Sequence, residues 1–168
     1  MAYEVEIRDV AAQAVLAVRG AQIPAIDIGT FMADGYGKIG ARAAEIGVVP
    51  AGKPMVRYGN INGDHFDLEV MIAFSGAIQA GGDVYVSSVP AGRAATCEHV
   101  GPYPDLGRAY AAIGGYLSER GLESSGGSYE EYIPGHGRGH GRSVPNSGLP
   151  PASRGVVPFR HLARPAHG

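Results

Sequence analysis

Glu45-Ile-Gly-Val-Val-Pro-Ala-Gly-Lys-Pro-Met-Val-Arg-Tyr58 returns 74 residues later as Glu119-Arg-Gly-Leu-Glu-Ser-Ser-Gly-Gly-Ser-Tyr-Glu-Glu-Tyr132. Glu45, Gly47, Gly52 and Tyr58 align with Glu119, Gly121, Gly126 and Tyr132 without a gap. Each copy follows a helical pattern. In the first, Ile28, Met32, Tyr36, Ile39, Ala43 and Ile46 recur at steps of four and three, and Gly47 stands where a left-handed residue ends a helix. In the second, Pro104-Asp105 opens a helix whose apolar stripe is Leu106, Ala109, Tyr110, Ile113 and Leu117, and Gly121 ends it.

Strand patterns surround both helices. Residues 14–18 form an apolar run, and 54–58 and 65–74 flank a turn with hairpin chemistry at 59–64. Residues 65–74 alternate strictly, with Phe66, Leu68, Val70, Ile72 and Phe74 on one side and Asp67, Glu69, Met71 and Ala73 on the other. Residues 84–86, 92–100 and 128–133 repeat the strand pattern around the second helix. The chain therefore reads as an internally duplicated α+β domain over residues 1–133.

The second copy lacks its closing strand. Residues 134–168 hold six Pro, seven Gly, five Arg and four His with no Asp or Glu, a composition expected to be disordered. Residues 155–162 offer a short edge strand, which Pro158 weakens.

Charge divides at the same boundary. Of 14 Lys/Arg and 16 Asp/Glu, residues 1–133 keep nine basic and all sixteen acidic, a formal −7. An acidic body argues against direct nucleic-acid binding, which needs a basic face. With 45% hydrophobic residues the chain can pack a core, yet no run approaches the ~20 apolar residues of a membrane span. The single cysteine, Cys97, excludes an internal disulfide framework and reads as a small buried hydrophobe. No signal layout precedes the first strand, so a cytoplasmic protein without membrane association is expected.

Several motifs carry no chemistry. Gly35-Tyr-Gly-Lys-Ile-Gly40 matches a dinucleotide fingerprint but lies inside a helical pattern, not at a strand-to-helix turn. Residues 47–53 match a phosphate loop, but Pro54 stands where its hydroxyl residue belongs. His136 and His140 have no third ligand at a suitable spacing, so neither a metal nor a cofactor is expected. Cys97, Glu98 and His99 alternate along one strand and do not form a triad.

One constellation stands apart. Glu130 and Glu131 face opposite sides of their strand. The repeat aligns Glu130 with Val56, on the face of Tyr132, and Glu131 with Arg57, at an expected solvent position. A carboxylate where the other copy has valine is a candidate buried acid.

The run Val89-Pro-Ala-Gly-Arg-Ala-Ala-Thr-Cys-Glu-His-Val-Gly-Pro-Tyr-Pro-Asp-Leu106, the helix to Gly121 and Tyr129-Glu-Glu-Tyr132 together resemble the GyrI-like effector-binding domains, over about residues 3–133. The resemblance implies two strand–helix–strand–strand repeats in pseudo-twofold arrangement, forming one antiparallel sheet with helices on one face and a ligand cleft. It also implies that Glu130 is the pocket carboxylate, Tyr132 its aromatic neighbour and Tyr129 the counterpart of the family's usual Trp. The implied ligands are lipophilic, aromatic and often cationic. Tyr58, Tyr36, Phe31 and Tyr103 are further candidates for the aromatic wall, since the chain has nine Tyr and no Trp. Three functions stay open: a small-molecule sensor or sequestering protein, a hydrolase of electrophilic cyclopropane compounds with Glu130 as general base and Tyr132 as hydrogen-bond donor, and a protein-interaction role such as gyrase inhibition.

Overall fold

The computed structural model describes residues 2–100, 105–132 and 156–165. The protein is α+β, two helices and antiparallel strands grouped in two compact units. The described residues of one unit are continuous in sequence. It contains β2 (Gln13–Pro24), a single 3₁₀ turn (Ala25–Asp27), α1 (Ile28–Ile46), β3 (Val49–Pro50), β4 (Met55–Asn62), β5 (His65–Ser75) and β6 (Tyr85–Val89). The other contains β1 (Glu6–Val10), β7 (Gly92–Val100), α2 (Leu106–Glu119), β8 (Leu122–Glu131) and β9 (Val156–Pro165).

The duplication is written in the strand pairing. In the continuous unit the order is β4–β5–β2–β6, all antiparallel, with β3 added to β5. In the other it is β8–β9–β7–β1, also antiparallel. Strand, helix, strand and strand thus follow one path twice, as β2-α1-β4-β5 and β7-α2-β8-β9. Each path gains an outer strand, β6 or β1.

Strand β9 corrects the expectation for residues 134–168 over its own span. Its ten residues lie between β7 and β8, registering Val156 with Val100 and Leu162 with Ala94 on one side, and Phe159 with Glu130 on the other. It is an interior strand of its unit, not an edge. The remainder of the expected tail lies outside the described residues, as do Tyr103, His136 and His140.

Each helix packs as its spacing dictates. α1 buries Ile28, Met32, Gly35, Ile39 and Ala43, and ends at Gly47 in the left-handed region (φ 71°). Gly35 is a point of close approach, since a methyl group there would stand 2.5 Å from Val70 Cγ2. α2 buries Leu106, Ala109, Ile113 and Leu117 against Ala95 and Cys97 of β7. The Cys97 thiol points to the Ala109 carbonyl at 3.9 Å, and burial pushes its pKa up to about 11, so it packs as an inert apolar group. Among the described residues no helix is long and apolar enough to cross a membrane.

Candidate functional site

Glu130 lies near the end of β8 with 1% of its surface exposed. Its side chain faces α2, where Tyr110 donates its hydroxyl to Glu130 Oε1 at 2.6 Å. Tyr132, just past the strand, donates to Oε2 at 2.9 Å. Each carboxylate oxygen therefore accepts from a phenol. On β7, His99 is 3% exposed and shares a 2.8 Å hydrogen bond between its Nδ1 and the Tyr3 hydroxyl, with the two rings 5.9 Å apart.

Burial is the largest influence on Glu130 and raises its pKa above the ordinary carboxylate value. The two phenols and the charge of His99 pull in the other direction without overcoming it. A carboxylate so placed is costly as an anion and gains strongly from an approaching cation. It can equally hold a proton for acid–base work.

A second buried carboxylate makes the contrast plain. Glu69 on β5, 4% exposed, meets Arg19 of β2 at 3.2 Å and Arg57 of β4 at 3.5 Å, its register partners on the two flanking strands. Tyr85 of β6 also donates to it, and the Arg19 guanidinium lies 5.7 Å from the centre of the Tyr85 ring. Burial, and then Glu69, push the Tyr85 pKa up to about 12. Glu69 is compensated by two guanidinium groups, whereas the side chains hydrogen-bonded to Glu130 are phenols.

The candidates named from the sequence separate clearly. The structure brings Glu130 and Tyr132 together. Tyr129 is buried but projects from the opposite side of β8, because adjacent strand residues alternate. Glu131 corrects the expectation of a solvent position, being only 9% exposed. In the continuous unit, Tyr36 donates to the Met55 carbonyl at 2.7 Å, Tyr58 packs edge-on to Phe66 with ring centres 6.3 Å apart, and Phe31 lies against Gly20. Tyr110 is the member that sequence reasoning placed in an apolar stripe. Its signal was a tyrosine among buried positions, whose hydroxyl needs a partner.

Beside α2, and sharing Tyr110 with the contacts of Glu130, runs a groove of about 590 Å³. Tyr110, Ile113, Gly114, Leu117 and Ser118 of α2 form one wall, and residues 121–124 form the other. That volume lies in the range of small-molecule sites.

A duplicated α+β fold with a phenol-bound buried carboxylate and a groove at its side defines a small-molecule binding module. The chain belongs to the GyrI-like small molecule binding domain family, whose model matches residues 3–141. In fold it is similar to the C-terminal domain of EcmrR, with a TM-score of 0.79 at 17% identity over 99% of this chain and 100% of that one. It is also similar to a hydrolase from Listeria innocua (TM-score 0.62, 11% identity, 97% and 93% covered). A third relative in fold is SAV2435, solved bound to tetraphenylphosphonium (TM-score 0.58, 9% identity, 96% and 94% covered). No curated protein matches the chain in sequence.

Proposed function

We propose that this GyrI-like domain binds lipophilic cations, with Glu130 as the counter-charge and Tyr132 and Tyr110 as its aromatic surround, in a sensing, sequestering or resistance role. The observation that carries the reading is a carboxylate 1% exposed whose hydrogen-bond donors are phenols. A ligand cation supplies an opposite charge in direct contact with such a group, and aromatic faces add about 0.5–2 kcal/mol each through cation–π attraction. The tetraphenylphosphonium bound by SAV2435 is a suitable probe.

Calorimetric titration with tetraphenylphosphonium tests the reading. Glu130→Gln keeps size and removes charge, and is expected to weaken binding by about 1–3 kcal/mol. Glu98→Gln, an exposed carboxylate on β7, serves as the control for diffuse charge. Equal losses in the two variants would remove Glu130 from the site.

Hydrolysis is the second reading, favoured by the raised pKa of Glu130 beside two phenol hydroxyls. In that case Glu130 takes a proton from water as the water oxygen bonds to a ring carbon, and Tyr132 donates a hydrogen bond to the negative charge that the opening C–C bond leaves on the activating group. Mass spectrometry of electrophilic cyclopropane compounds after incubation separates the two, since a binder returns its ligand unchanged.

A further inference from the structure

Tyr110 belongs to two environments at once. Its ring lines one end of the groove beside α2, while its hydroxyl donates to Glu130 Oε1 at 2.6 Å. Glu130 itself is not part of the groove wall and is 1% exposed. Tyr110 is therefore the residue that the groove wall shares with the contacts of the carboxylate. From Tyr110 to Ser118 the helical wall spans eight residues, about 12 Å at 1.5 Å per residue. Half-buried Leu122 supplies apolar surface along it, over the buried Ile113 and Leu117, and Gly114 contributes no side chain.

We propose that the groove beside α2 is the apolar subsite of this protein and that Tyr110 is its gate to Glu130. The ligand class is an amphiphilic cation whose hydrocarbon body lies along α2 and whose charge replaces the Tyr110 hydroxyl at Oε1. This rests on the lipophilic-cation reading of Glu130 and extends it with a floor, a direction and a moving part. Gly114 determines specificity because it leaves open the space that the hydrocarbon body fills. Tyr110 is a positioning residue, closing the site when no cation is bound.

The two glycines in the middle of α2 provide a matched test. Methyl groups built on Gly114 and on Gly115 both meet nothing within 4 Å, so a side chain can leave the helix at either position. Gly114 lines the groove, while Gly115 lies about 100° further round the helix and does not. Leucine at either position improves helix propensity, so neither variant is expected to fail to fold.

With tetraphenylphosphonium as probe, Gly114→Leu is expected to weaken binding by about tenfold or more, and Gly115→Leu to stay within about twofold of the parent. Tyr110→Phe keeps the ring and frees the gate, and stopped-flow measurement should show association faster by about threefold or more. Tyr116→Phe removes a phenol hydroxyl elsewhere on α2, outside the groove wall, and should leave the association rate unchanged. Equal affinities for the two leucine variants, with Glu130→Gln still weakening binding, would overturn the groove and leave the carboxylate in place. Loss on Gly114→Leu with Glu130→Gln silent would support the groove and remove the carboxylate. An unchanged association rate in Tyr110→Phe, or an equal gain in Tyr116→Phe, would overturn the gate.

Discussion

The hydroxyl of Tyr110 and Oε1 of Glu130 are 2.6 Å apart, a bond between a helix and a strand of the same unit. It fixes the orientation of a carboxylate that water barely reaches, and it favours the charged form that burial opposes. Stability, protonation and access to the site therefore meet at one contact.

Glu130 should leave its mark on the pH dependence of stability. Its pKa is raised in the folded state, so the folded protein holds this proton more tightly than the unfolded chain. That contribution is complete below the ordinary glutamate value of about 4.3 and is lost as pH rises through the folded value. Glu130→Gln cannot titrate. Compared by denaturant unfolding, the variant should gain on the parent as pH rises from 4 to 8 and be level with it or more stable at the upper end. A variant that loses ground over that range would contradict the assignment of burial as the dominant influence.

Glu69 should tolerate the same substitution less well. Glu69→Gln leaves Arg57 and Arg19 without their shared carboxylate, and Tyr85 without its charged acceptor. The arginines are 35% and 62% exposed and can turn to water, which limits the cost to about 1–2 kcal/mol. Arg19→Met should cost less than about 1 kcal/mol. Urea unfolding of both variants checks the order, and a larger loss for Arg19→Met would reverse the argument.

Two glycines in α1 give substitutions of opposite sign. At Gly40 a methyl group meets nothing within 4 Å, so Gly40→Ala should stabilise by about 0.5–1 kcal/mol through backbone entropy. At Gly35 the same methyl would collide with Val70, and Gly35→Ala should destabilise by about 1–3 kcal/mol. Thermal melts of the pair decide it, and stabilisation by Gly35→Ala would show that α1 does not press on β5 there.

Ending the chain after residue 155 removes β9 and leaves β7 and β8 without the strand that bridges them. The melting temperature should fall by more than about 10 °C, or the cooperative transition of that unit should disappear. An unchanged melt would mean that β9 contributes nothing to the sheet.

Where a single period dominates, the sequence discloses the fold. The stripe from Ile28 to Ala43 and the stop at Gly47 locate α1 closely, and alternation from Phe66 to Phe74 locates β5. The 74-residue repeat places β4 and β8 in equivalent positions of their own units. β1 has no comparable signal, since Glu-Ile-Arg-Asp-Val becomes a strand by pairing with β7. β9 is hidden by Pro158, which removes a single ladder donor while seven registered pairs join the strand to β7.

At the candidate site, alternation separates the faces of Glu130 and Glu131 but cannot say which face is covered. Both turn out to be buried, because burial depends on what packs against the sheet. Tyr110 reads as core by its spacing, and only the geometry of α2 over β8 carries its hydroxyl to Glu130.

The position of β9 also sets a timetable for synthesis. The continuous unit has all its strands once residue 89 has been made. β7 must wait for a partner at least 56 residues later, from Val100 to Val156. At roughly 5–20 residues per second that delay is about 3–11 s. Throughout it, the edge of β7 that β9 will occupy is exposed on the ribosome to any strand that passes, so the nascent chain has a window for chaperone capture or mispairing.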